Sequence, residues 1–395
     1  MQNFDIYANG IIFECSNFLL ILQMENRFKY LIICTGLLSC LSSAVLNAQI
    51  LSDTTSLKLV RKGIECIYNM EYNNADQIYE KINKMYPENP VTVMLHGLIS
   101  YWKNYPLLPA SSGRTTFEHD MRRCIELSEK NNKSHEEAEN LLANLSAMGL
   151  LATFYADNGL SGDVFPLAKS TYKYTRRAFG FTSVFPDFYF FTGFYNYYRE
   201  VYPKVHPLYR PLAILFPKGD RSAGLEQIQN AATNSILLKA EAYSLLSYIF
   251  MSYENNYQQA FYYSKHLHEL YPANLEYLGE YIKNLLLMKM YDEAESLMVS
   301  PDVTNSSNPY FQAQLSVFNG ILKEKKYQDY KQSQEFYLKG AKEMSLFGKY
   351  GDEFAAYAYF GLSRISEVHG DKVNKKMYRK RANDLAELKK VTFDE

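Results

Sequence analysis

The sequence predicts an all-α fold of helical hairpins in tandem, and three observations carry this prediction. Ala260 and Ala294 each stand three residues after a tyrosine and lie 34 residues apart, a period typical of repeated pairs of helices. A Tyr-Pro pair follows 12 residues after Ala260, at Pro272, and the same offset joins Ala75 to Pro87. Proline ends a helix because it lacks an N–H and clashes with the preceding turn. A hydrophobic content of 47% is sufficient for a packed core.

The stretches 57–90 and 240–300, which carry Tyr-x-x-Ala and then Tyr-Pro-x-Asn, resemble the tetratricopeptide-repeat (TPR) family. In that family each unit is a pair of antiparallel helices, A and B, with a small residue where they cross, and Gly63 stands at this place in the first unit. The resemblance implies a right-handed superhelical solenoid of about eight TPR-like hairpins over residues 49–395. Asn274, which follows the proline by two residues, is placed to cap the next helix.

The first 48 residues have the pattern of a bacterial secretion leader. Residues 1–23 contain no Lys or Arg, so we interpret Met24 as the true start and 1–23 as an over-long N-terminus. Residues 24–48 then show a short basic region, an apolar run and small residues ending at Ala48, which predicts a signal peptide. The mature chain would begin at about residue 49.

Two alternatives to simple cleavage remain open. The motif Leu-Leu-Ser-Cys that ends at Cys40 resembles a bacterial lipoprotein box, in which this cysteine would be acylated. The leader could also stay attached as an anchor. In each case the chain is expected to cross the inner membrane and to work in the periplasm or at the outer membrane.

The hairpins of 242–298 are flanked by less regular ones, and the middle of the chain, 103–233, is expected to depart most from the repeat. The expected helices of the flanking hairpins lie at about 56–70, 73–86, 90–104, 115–130, 135–157, 163–178, 186–200, 220–233, 310–323, 327–346, 352–369 and 372–388. Ser134 is expected to cap one of them. The basic, polar segment 372–388 is expected to be the capping helix of the array.

Two units share an insertion between helix A and helix B. The string Gly97-x3-Tyr-x3-Tyr-Pro106 recurs as Gly193-x3-Tyr-x4-Tyr-Pro203. Because insertions at one place in a repeat fall on one face of a solenoid, this face is a candidate working surface.

A second, shorter resemblance covers residues 219–250. The string Gly219-Asp-Arg-x-x-Gly-Leu and the apolar residues after it are similar to a segment of the eukaryotic TPR family associated with inclusion-body clearance and lipid droplets. This resemblance implies helical repeats for the irregular middle, and we take no function from it.

Composition and motifs exclude several classes of function. The net charge is −1, and the chain from residue 49 carries 40 basic and 40 acidic residues, which argues against nucleic acid because phosphate binding needs a basic surface. The seven histidines include no pair at the i, i+4 spacing of a helical metal site, and no nucleophile or phosphate-loop motif is present. No enzyme activity, metal or cofactor is expected. Cys66 and Cys124, the two cysteines beyond the leader, could form one disulfide in an oxidising compartment, but nothing in their spacing requires it and buried free thiols are the preferred interpretation.

In TPR arrays helix A lines the concave face, and placing Gly63, Gly97 and Gly193 at the helix crossing fixes the register here. The concave positions are then mostly apolar and aromatic. The candidate groove residues are Tyr68, Trp102, Phe190, Phe194, Tyr198, Tyr253 and Lys283. This set departs from chaperone-binding TPR proteins, whose two-carboxylate clamp needs Lys, Asn and Arg at such sites. The competing interpretation is that these rings pack between repeats.

The expected function is a non-enzymatic scaffold of the cell envelope that binds a protein or peptide partner in this groove. The alternative is a periplasmic or outer-membrane protein that binds a lipid or a glycan, since aromatic rings also contact acyl chains and sugars.

Overall fold

The computed structural model describes residues 49–130, 137–214, 216–386 and 391–394. The predicted leader and the predicted cap Ser134 lie outside these residues. The described chain is helical without strands, and sixteen helices pack in adjacent pairs. They are α1 Thr54–Tyr68, α2 Tyr72–Met85, α3 Pro90–Lys103, α4 Arg114–Lys130, α5 Glu137–Asp157, α6 Ser161–Ala178, α7 Phe188–Val205, α8 Arg221–Asn234, α9 Lys239–Ser252, α10 Tyr257–Leu270, α11 Leu275–Leu287, α12 Tyr291–Met298, α13 Pro309–Lys325, α14 Tyr330–Met344, α15 Asp352–Val368 and α16 Lys372–Leu385.

The all-α prediction is confirmed, and the helix boundaries agree with the sequence pattern to within about five residues. Asn274 accepts hydrogen bonds from the backbone N–H groups of Glu276 and Tyr277 and so caps α11, as expected. Carboxylate or amide side chains at the same place cap other helices and supply an acceptor for N–H groups that have no partner in the first turn. These caps are Asp53, Asn89, Asp220, Asn256, Asn308, Asp329 and Asp371.

Six of the described hairpins share one kind of turn. Between helix A and helix B each has a single residue with positive φ, a conformation that closes the end of a helix. These residues are Met70, Gly159, Asn255, Lys289, Gln328 and Gly370. The pairs α3–α4 and α7–α8 have long connections instead, at 104–113 and 206–220. These are the two units in which the sequence indicated an insertion.

Helices α7 and α8 approach each other at a pair of glycines. A Cβ atom added to Gly224 would lie 2.6 Å from the backbone nitrogen of Tyr197 and 2.9 Å from the carbonyl oxygen of Gly193. A Cβ atom added to Gly193 would in turn lie 2.8 Å from the carbonyl oxygen of Gly224. The two backbones are in direct contact, so no side chain fits between them. Gly224 belongs to the Gly-Asp-Arg-x-x-Gly-Leu string noted above.

Two buried carboxylates attach irregular segments to the helices. Asp187, which is fully buried, accepts hydrogen bonds from three successive backbone N–H groups, those of residues 236–238, at 2.9, 2.7 and 3.0 Å. Glu139 accepts from the N–H groups of Ile50 and Leu51 at 3.1 and 2.8 Å. Each carboxylate thereby satisfies buried backbone donors that no helix or strand would otherwise pair.

The first hairpin contacts hairpins far along the chain. The side-chain amide of Asn274 donates to the carbonyl oxygen of Tyr68 at 2.8 Å, and the N–H of Ala273 donates to Asn69 at 3.1 Å. The hydroxyl of Tyr68 donates to Glu241. These contacts join α1 to α9 and α11, across about half of the described chain.

The described residues contain no helix that is long and apolar enough to span a bilayer. Cys66 and Cys124 are buried and are not joined in a disulfide, as the sequence indicated. Burial raises the pKa of the Cys124 thiol to about 12, so this thiol stays protonated and unreactive at neutral pH.

Candidate functional site

The predicted groove residues separate into an internal group and a partly exposed group. Tyr68 and Trp102 belong to the first, with 1% and 8% of their surface exposed. Their rings meet edge to face at 5.6 Å, and both pack on Tyr277 of α11 at 6.4 and 5.5 Å. The two rings therefore fill the space between the first two hairpins and α11 and do not face solvent.

Lys283 is also internal, with 6% of its surface exposed. Its amine lies 3.4 Å from a carboxylate oxygen of Glu353 and 5.6 Å above the ring of Phe354. Burial by itself lowers the pKa of Lys283, but the negative charges of Glu353 and Glu280 raise it above its ordinary value. The Lys283 amine is thus a charged partner for carboxylates of its own chain.

The exposed group lies along α7. Phe190 and Tyr198 are half-buried and Phe194 is 45% exposed. The ring centroids are 6.5 Å apart between Phe190 and Phe194 and 4.5 Å apart between Phe194 and Tyr198. Tyr253, which is buried at the end of α9, supports the row edge-on at 5.5 Å from Tyr198. Four of the seven predicted residues are therefore in one continuous cluster.

The cluster extends further than predicted. Tyr202 follows Tyr198 with its ring centroid at 6.5 Å, and His206 follows Tyr202 at 4.3 Å. We call Phe190, Phe194, Tyr198 and Tyr202 the α7 aromatic row. Its length is about 18 Å, since a helix rises about 1.5 Å per residue. Tyr202 and His206 were not predicted as site residues. They could have been found because they continue the series 190, 194, 198 at intervals of four residues, which keeps side chains on one face of a helix.

The insertion after α7 adds exposed apolar surface to the end of the row. Leu208 is 85% exposed, Ile214 is 80% exposed and Tyr209 is 42% exposed. The Tyr209 ring lies 5.2 Å from that of Tyr202, so the insertion and the row are in contact. Exposed apolar surface next to an aromatic row is typical of interaction surfaces.

Three half-buried glutamates, Glu241 of α9 and Glu276 and Glu280 of α11, have raised pKa values. Burial raises the pKa of Glu241 to about 8 and that of Glu280 to about 7. One oxygen of each carboxylate is buried without a hydrogen-bond partner among the described residues. Glu276, the third member, accepts from the side-chain amide of Gln314 at 3.2 Å. Burial disfavours the charged form of all three acids, and the positive charge of Lys283 opposes this shift for Glu276 and Glu280.

We expect the protein to become less stable as the pH rises from 6 to 9. Because the folded-state pKa of Glu241 lies above the ordinary carboxyl value, the folded state binds this proton more tightly than the unfolded state. The stabilisation is complete below about pH 4.5 and is lost as the pH passes through about 8. Thermal unfolding across this range should show a falling Tm, and Glu241→Gln should reduce its slope. The exposed control Glu88→Gln should keep the slope of the native chain, and equal slopes in all three proteins would contradict the assignment.

In the part of the chain that the structure describes, no group of three or more His, Cys, Asp or Glu side chains is arranged to hold a metal ion. The α7 aromatic row supplies ring faces and edges for apolar and stacking contacts. No protein-family model matches the chain, and no curated protein matches it.

Proposed function

We propose that the chain is a non-enzymatic, TPR-like scaffold of the bacterial cell envelope that binds a polypeptide partner through the α7 aromatic row. The observation that supports this proposal is the row of contiguous, partly exposed rings on α7, continued by Tyr209, whose ring contacts that of Tyr202. Partly exposed aromatic side chains are the residues that contribute most to protein–protein binding when a partner buries them. The helical hairpins hold the row in a fixed position.

The double variant Phe194→Ala/Tyr198→Ala is expected to reduce partner capture at least tenfold, since truncating a central aromatic contact costs about 2 kcal/mol or more. Its Tm should stay close to that of the native chain because both side chains are only partly buried. The matched control is Tyr262→Ala/Leu270→Ala, which removes two apolar residues of α10 that are each 47% exposed. Equal capture by the two double variants would contradict the proposed surface.

The partner can be identified by photo-crosslinking from Phe194 itself. We would introduce p-benzoylphenylalanine in place of Phe194 and, as the control, in place of Tyr262, and irradiate each protein with a detergent-solubilised envelope extract. A protein adduct at position 194 alone supports the scaffold. A lipid or glycan adduct without protein favours the alternative function. Identical adducts at both positions would contradict a specific site on α7.

A further inference from the structure

The segment Val391–Asp394 packs against the C-terminal hairpins and buries two apolar side chains. Val391 and Phe393 are 4% and 8% exposed, and the Phe393 ring meets Tyr357 of α15 edge-on at 5.2 Å. A depression beside Phe393 is lined by apolar and aromatic side chains of α10, α11 and α12, and a second one lies beside Val391. The segment therefore fills only part of the space that these helices form.

Arg364 of α15 binds this segment, and Glu324 fixes the orientation of the Arg364 guanidinium. Its Nε and Nη2 donate to the two carboxylate oxygens of Glu324 at 2.6 and 2.8 Å. Glu324 is 7% exposed and also accepts from the hydroxyl of Tyr337 at 2.6 Å. The remaining nitrogen, Nη1, donates to the carbonyl oxygen of Thr392 at 2.5 Å and to Asp394 at 3.0 Å. A bidentate pair of this kind fixes the plane of the guanidinium.

Arg379 of α16 also binds the carboxylate of Asp394. Its Nη2 and Nη1 donate to the two oxygens of Asp394 at 3.0 and 3.3 Å. Its guanidinium stacks over the ring of Phe360 at 4.7 Å, which holds it in place. Arg364 and Arg379 thus form a two-arginine site that receives one carboxylate. From its sequence, the segment 372–388 was expected only to be a polar capping helix. The contact between Arg379 and Asp394 was not predicted.

The bound segment fits its site imperfectly. Phe393 has a φ of 53°, in the left-handed region that bulky side chains rarely adopt because Cβ approaches the following carbonyl oxygen. Because of this strain and the space left beside the segment, we expect a chain with the same side-chain pattern and a relaxed backbone to bind more tightly. Lys325 and Lys289 line the same depression, so its charge suits an acidic chain.

We propose that the two-arginine site binds an extended segment of a partner protein with the pattern aliphatic, any residue, aromatic, acidic, and that residues 391–394 are an internal competitor for it. This site is separate from the α7 aromatic row and shares with the proposed function only the class of partner. Variants of α16 and of residues 391–394 therefore test it independently of α7.

The experiment uses fluorescence anisotropy with a labelled decapeptide, Ala-Glu-Leu-Lys-Lys-Val-Thr-Phe-Asp-Glu, which copies residues 386–395. The peptide is titrated with the full native chain and with the full chain carrying Phe393→Ala/Asp394→Ala. The double variant should bind the peptide at least tenfold more tightly, since its own segment no longer competes. A peptide in which Asn replaces the aspartate should bind the double variant at least tenfold more weakly.

The role of the arginines is tested in the background of the double variant. Arg379→Gln should weaken peptide binding at least tenfold with little change in Tm, because the Arg379 side chain is 42% exposed. The matched control, Lys376→Gln, removes an exposed positive charge from the same helix and should leave the affinity unchanged.

Three outcomes would overturn the proposal. The first is equal peptide affinity in the native chain and the double variant. The second is equal affinity with Arg379→Gln and Lys376→Gln. The third is a native chain that is dimeric by light scattering while the Phe393→Ala/Asp394→Ala chain is monomeric, which would make a second copy the occupant.

Discussion

Replacing Gly224 with alanine is expected to lower the free energy of unfolding by about 3 kcal/mol, at the upper end of the range for overpacked sites. The added Cβ would lie 2.6 Å from the backbone nitrogen of Tyr197 and 2.9 Å from the carbonyl oxygen of Gly193. Both are backbone atoms, so neither can rotate away as a side chain could. Relief of the clash therefore requires the backbones of α7 and α8 to move apart at this crossing.

A second glycine provides the matched control for this prediction. Gly149 lies inside α5, and a Cβ atom added there meets no atom within 4 Å. Gly149→Ala should therefore leave stability unchanged or raise it by up to about 1 kcal/mol, because alanine favours the helix. Urea unfolding followed by circular dichroism measures both variants. If Gly224→Ala were as stable as Gly149→Ala, the backbone contact between α7 and α8 would be in error.

Asp187→Ala is expected to cost at least about 3 kcal/mol, since a buried donor left without a partner costs about 1–3 kcal/mol and this carboxylate accepts from three of them. Asp187, Leu237 and Leu238 are all buried, so bulk water does not replace the acceptor that these two N–H groups lose. Asp187→Asn should lose less stability, because its carbonyl oxygen can still accept from Leu237 and Leu238. Its NH₂ group, however, would oppose the N–H of Ile236. The three proteins are compared by urea unfolding.

Asp220 shows what the same kind of contact contributes at the surface. It is exposed and accepts from the N–H groups of Ser222 and Ala223 at 2.9 and 3.0 Å as the cap of α8. Asp220→Ala should cost about 1 kcal/mol and Asp220→Asn almost nothing, because asparagine caps as well as aspartate. An Asp187→Ala protein no less stable than Asp220→Ala would contradict the role given to burial.

Much of the fold could be predicted because its signals are local. The cap Asn274, the stop at Pro272 and the spacing of Ala260 and Ala294 each specify a helix end or a helix crossing within one hairpin. The insertions after α3 and α7 were visible for the same reason, as proline-rich breaks in a repeated string. Within a hairpin, neighbours in sequence are neighbours in space.

The site was predicted only in part, because it depends on how successive hairpins turn relative to one another. The sequence pattern assigned Tyr68, Trp102 and Tyr198 to the same position of a repeat, but α11 covers the first two rings and leaves Tyr198 partly exposed. Tyr68 and Glu241 are 173 residues apart in sequence and yet are in contact, and no short motif encodes a contact of that range. The contact of Arg379 with Asp394 likewise depends on where residues 391–394 pack in the folded chain. The sequence of α16 alone indicates only a polar face.

The contacts between α1, α9 and α11 have a consequence for cooperativity. An array in which each repeat touches only its neighbours gains and loses repeats one at a time, and its ends fray first. Here the first hairpin is joined to residues 241 and 274 by hydrogen bonds from side chains that are distant in sequence. These hydrogen bonds couple the stability of the first hairpin to that of α9 and α11, and they close the chain between them into a loop whose formation slows folding. A destabilising substitution in the first hairpin is therefore expected to lower the stability of α9 and α11 as well.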